Sequence, residues 1–86
     1  MKPVDRLLMR LDIMRIENLE AIIVMKSKRY QPFVTKVASF DFEEKDSRVM
    51  LLRSASTTYF PTDADDYLTY IKNIKSVDRY HPPEPS

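Results

Sequence analysis

The side chains that could do chemistry in this chain are few, and their spacing brings no reactive set together. His81 is the single histidine, and the sequence holds no cysteine and no glycine. Phosphate cradles depend on glycine, because only a residue without Cβ lets the backbone come so close to a phosphate. Thiol chemistry and most structural zinc sites depend on cysteine. His81 stands before Pro82-Pro83 with no acid–base partner nearby in sequence, so it is not expected to shuttle protons. Asp63, Asp65 and Asp66 invite a calcium reading, but a calcium loop needs more oxygen ligands and usually a glycine. Electrostatics at a helix start explain the three carboxylates. No catalytic residue, metal ligand or cofactor site is expected, and an enzyme is the least favoured class.

What remains is charge and aromatic surface. Lys26, Lys28 and Arg29 lie beside Tyr30, a combination that can hold phosphates and stack a base. A solvated turn between strands is the plainer account. Lys2, Arg6 and Arg10 repeat every four residues and form a basic stripe, which is also what the wet side of an amphipathic helix looks like. Phe40-Asp41-Phe42-Glu43-Glu44 could dock a basic partner, and a strand end entering a polar turn explains it as well. Tyr59, Phe60, Tyr67, Tyr70 and Tyr80 concentrate near the C-terminus, where packing accounts for most of them.

The elements that must position these residues follow from periodicity. Val4, Leu7, Leu8 and Leu11 predict an amphipathic helix over 3–14, with Pro3 suited to its first turn. It can extend to Glu17, with Asn18 as a left-handed stop. Residues 19–26 favour a strand through Ile22-Ile23-Val24, although helical continuation also fits their spacing. After a loop over 27–32, residues 33–42 and 48–53 predict a hairpin across the turn 43–47, with Asp46 as its left-handed residue. Residues 56–60 predict a further short strand. Ala64, Tyr67, Leu68, Ile71 and Ile74 predict a helix over 63–75, capped by Thr62 and closed by Lys72 and Lys75.

The expected fold is therefore a small single α+β domain: a helix, a three- or four-stranded antiparallel meander sheet and a second helix, with both helices on one sheet face. Residues 1–77 make the domain, and 78–86 make an extended or disordered proline-rich tail. The chain of 86 residues is short and lacks disulfides, so its core is modest, and self-association is a common way to add buried area. The longest apolar run, Ala21 to Met25, is too short for a membrane span. Charges at Arg10, Asp12 and Arg15 break any signal-peptide layout, and a cytoplasmic location is expected. The net charge of +1 does not by itself call for nucleic acid.

Both predicted hairpin strands are apolar on both parities, whereas a sheet with one wet face should alternate. The second face is thus expected to meet another subunit or a partner. The leading expectation is a non-catalytic protein-interaction module, homodimeric, that binds or occludes a larger protein, a profile shared with small accessory proteins of bacteria and phages. Its contact surface is expected on Phe33, Val37, Met50 and Leu52, with Arg53 and Tyr70 at the rim. The alternative is a nucleic-acid-binding module using Lys26, Lys28, Arg29 and Tyr30 with Lys2, Arg6 and Arg10. It gains weight if the loop and the helix stripe share one side.

Overall fold

An asparagine does the work at the first chain reversal that glycine does in most proteins. The computed structural model describes residues 2–41, 43, 45–53 and 65–84. Helix α1 spans Pro3–Ile16, with proline in its first turn, Asp5 near its positive end and Arg15 near its negative end. Asn18 then takes a left-handed φ of 54°. Around it the Leu19 N–H donates to the Met14 carbonyl at 2.9 Å and the Asn18 N–H to the Arg15 carbonyl at 3.3 Å. This paired closure satisfies two helix-end carbonyls and turns the chain into the sheet. Asp46, the other expected left-handed residue, is not among the residues with positive φ. Its N–H instead donates to the Glu43 carbonyl at 3.0 Å.

Strands β1 (Glu20–Met25), β2 (Phe33–Phe40) and β3 (Val49–Arg53) form an antiparallel meander. Residues 19–26 thus resolve as strand, as the β-branched run favoured. The fourth strand is where the sequence misleads. The expected helix over 63–75 is broken into α2 (Asp65–Thr69), a single 3-10 turn (Ile71–Asn73) and β4 (Ile74–Arg79). Strand β4 pairs with β1, so the order across the sheet is β3-β2-β1-β4 rather than a continuous meander. Tyr70 is extended, with φ −91° and ψ 126°, and this interrupts the helical path. The Asn73 side-chain amide donates to the Tyr67 carbonyl at 2.9 Å, partnering an acceptor at the end of α2. The strand runs to Arg79, past the boundary expected at residue 77, and the Tyr80 N–H donates to the Glu20 carbonyl at 2.9 Å. The expected strand over 56–60, the Thr62 cap and the helix-start charge of Asp63 lie outside the described residues.

The sheet curls. Strands β3 and β4 are its outer members, yet Arg48, just before β3, forms an antiparallel bridge with Tyr70, four residues before β4. The Ile71 N–H also donates to the Ser47 carbonyl at 3.1 Å. Register shifts in the β2–β3 pairing between Val37 and Ser39, and in the β1–β4 pairing at Val24/Met25, supply the bend. The concave side holds the core: Leu11 and Met14 from α1, Ala21, Ile23 and Met25 from β1, Phe33 and Val37 from β2, and Val49 from β3. Leu68, Ile71, Ile74 and Val77 complete it. Helix α1 packs here against β2 and β4. Helix α2, five residues long, is joined to the same core through Leu68.

Candidate functional site

The expected protein-contact surface divides between the two faces of the sheet. Ile23 stands opposite Phe33 and Val37 opposite Leu51, which fixes these residues to the concave side. Phe33 and Val37 are buried there and cannot meet a partner. Lys36 stands opposite Leu52 and Ser39 opposite Met50, on the convex side. Leu52 is 54% exposed and Met50 is 60% exposed. The apolar character of both parities is therefore real, but one parity is the core. Ile22 and Val24 lie on the convex side and are half-buried. Arg53 faces Thr35 in the register, and its side chain lies outside the described residues.

Tyr70 is held rather than offered. Its hydroxyl accepts hydrogen bonds from Arg48 Nε at 3.1 Å and from an Arg48 terminal nitrogen at 2.8 Å. The Arg48 guanidinium also sits 5.1 Å from the ring centroid, and Lys72 Nζ sits 5.4 Å from it. These contacts reinforce the bridge between Arg48 and Tyr70, with the ring acting as a weak acceptor for both cations.

The basic residues fare differently. Lys2, Arg6, Lys26, Lys28 and Arg29 are exposed. Arg10 is engaged, donating to the Asp78 carboxylate at 2.6 Å and to the Val77 carbonyl at 3.3 Å. One face of the Tyr30 ring is already taken. It lies against Tyr67 with centroids 4.9 Å apart, and the Tyr67 hydroxyl accepts from the Ser27 N–H at 3.2 Å. One end of the loop meets the 3-10 turn before β4, and the helix stripe meets β4 itself. Pro3, Arg6, Leu7 and Arg10 line a groove of about 490 Å³ with Lys75, Ser76, Val77 and Asp78. Lys26 begins the loop beside it, its N–H donating to the Asn73 carbonyl at 2.8 Å. Lys75, read from sequence as a helix-end charge, joins the helix stripe in this groove because β4 carries it there.

Helix α1 holds a feature that the sequence reading passed over. Met9, Ile13 and Ile16 are 55%, 49% and 67% exposed. Their spacing of four and three places them on one face, roughly opposite Leu7, Leu11 and Met14. The signal is present in the sequence as a second apolar stripe at helical spacing, on the side away from the first. Asp5 and Asp12 flank it on one side, and Arg6 and Arg10 on the other. No family model matches the chain, and neither the curated proteins nor the solved structures contain a significant match.

Proposed function

We propose that this chain is a small non-catalytic protein-interaction module, homodimeric, that acts by binding or occluding a larger protein. The observation that carries this reading is the exposure of large apolar side chains on both outer surfaces, Met9, Ile13 and Ile16 on α1 and Met50 and Leu52 on the convex side of the sheet. Isolated apolar residues on a surface are ordinary, but an aligned stripe on a helix that already buries its other face marks a place for a partner. Nucleic-acid binding is the second reading. The meeting of Arg6 and Lys75 in one groove, beside Lys26, favours it.

One experiment separates the two. The solution mass is measured by light scattering over a dilution series, with and without a short mixed oligonucleotide. The interaction module predicts a dimer at high concentration that ignores the oligonucleotide. A mass increase on adding oligonucleotide, lost at high salt through counterion release, transfers the function to the basic groove. A monomer at every concentration, with no response, removes both readings.

A further inference from the structure

We propose that the outer face of α1 is the self-association surface: two copies lay α1 against α1 in parallel, with Met9, Ile13 and Ile16 as the seam and Asp5 of each copy against Arg6 of the other. This rests on the homodimer reading and names its geometry. The occupant follows from the charge pattern. Asp5 lies on one flank of the stripe with Leu8, Met9 and Asp12. Arg6 lies on the opposite flank with Met9, Arg10 and Ile13. A two-fold axis along the helix sets each flank against the opposite flank of its partner, so acid meets base on both sides. A two-fold axis across antiparallel helices sets each flank against itself, so like charges meet. Only the parallel arrangement is self-complementary.

The charges that would make this contact are available. Asp12 is already held by Arg15 at 2.7 Å and Arg10 by Asp78 at 2.6 Å. Asp5 and Arg6 carry no ion pair among the described residues, and both are exposed. The net charge of +1 leaves little overall repulsion between copies. A seam of three apolar side chains is short, at the low end of specific interfaces, so a dimer of roughly micromolar affinity is expected.

The test is charge exchange between copies. Asp5→Lys and Arg6→Asp each place like charges at two symmetric contacts, and each is expected to raise the dimer dissociation constant about tenfold. Mixing the two variants is expected to restore association as a heterodimer, counted by native mass spectrometry of copies carrying different tags. A folding defect in either variant could not produce that rescue. Ile13→Ser, at an exposed position, is expected to weaken the wild-type dimer while leaving its circular dichroism unchanged. A wild-type dimer indifferent to all three substitutions overturns this geometry and leaves the homodimer standing. A wild-type chain that stays monomeric overturns both.

Discussion

The two ends of the core-facing helical structure are built on different terms. At the end of α1, residues 14–19 carry their own instructions. Asn18 tolerates the left-handed conformation, and the hydrogen bonds that close the helix all lie within six residues. In the segment Asp65–Arg79 the instructions come from elsewhere. Ile71 bonds to Ser47, Asn73 to Lys26 and Tyr70 to Arg48, each more than twenty residues away in sequence. The same apolar spacing that reads as one helix is divided among a short helix, a 3-10 turn and a strand. The lesson is that periodicity reports which residues are buried more reliably than it reports the backbone that buries them.

The largest expected effect sharpens that contrast. Ile71 is almost fully buried in the 3-10 turn, where α2, β4 and α1 meet. Ile71→Ala is expected to destabilise the fold by about 3 kcal/mol, through lost burial and the cavity left behind. Urea denaturation checks it. A cost below about 1 kcal/mol would mean that this region relaxes without help from its distant contacts, and the contrast would fail.

A smaller effect is expected at the locally determined end. Asn18→Ala forces a residue with Cβ and no short polar side chain into the left-handed region, at a cost of about 1 kcal/mol. Asn18→Gly removes that steric cost and should hold stability within about 0.5 kcal/mol of the natural chain. Comparing the two variants by thermal and urea denaturation isolates the backbone requirement from the side chain. Equal losses in both would show that Asn18 matters for its contacts and not for its φ.

This difference explains what was legible beforehand. Helix α1 and its stop, the β1 strand and the hairpin strands followed from propensity, alternation and one turn residue. Leu68, Ile71 and Ile74 were rightly placed in the core. The backbone of Ile71 and Ile74 was misassigned because spacings of three and four satisfy a helix, and a bulge beside Met25 lets a strand bury Ile74 and Val77 at the same interval. Asn73 in a supposed helix interior was a weak warning. The site divided in the same way. Met50 and Leu52 are exposed, as alternation along β3 implies once Val49 lies in the core. Phe33 and Val37 were misplaced because choosing which parity is the core requires the position of α1. The outer stripe of α1 was open to sequence reading, while the approach of Lys75 to Arg6 was not, since it depends on β4 lying beside β1.

The smallest expected effect tests whether charge also contributes to the long-range side of the contrast. Arg10 and Asp78 are 68 residues apart and join α1 to β4 at 2.6 Å, yet both side chains are more than half exposed. Exposed pairs gain little, because water and salt screen the attraction and two side chains must be held still. A double-mutant cycle of Arg10→Ala and Asp78→Ala is therefore expected to give a coupling below about 1 kcal/mol, falling as salt is added. Arg10 also donates to the Val77 carbonyl, so Arg10→Ala alone should cost somewhat more than the coupling. That ordering separates the ion pair from the backbone contact. A coupling above about 2 kcal/mol would make the charge pair comparable with the burial of a single core side chain such as Leu11 in holding α1 to the sheet. The self-association surface proposed for its outer face would then depend on salt twice, once through the helix's own docking and once through Asp5 and Arg6.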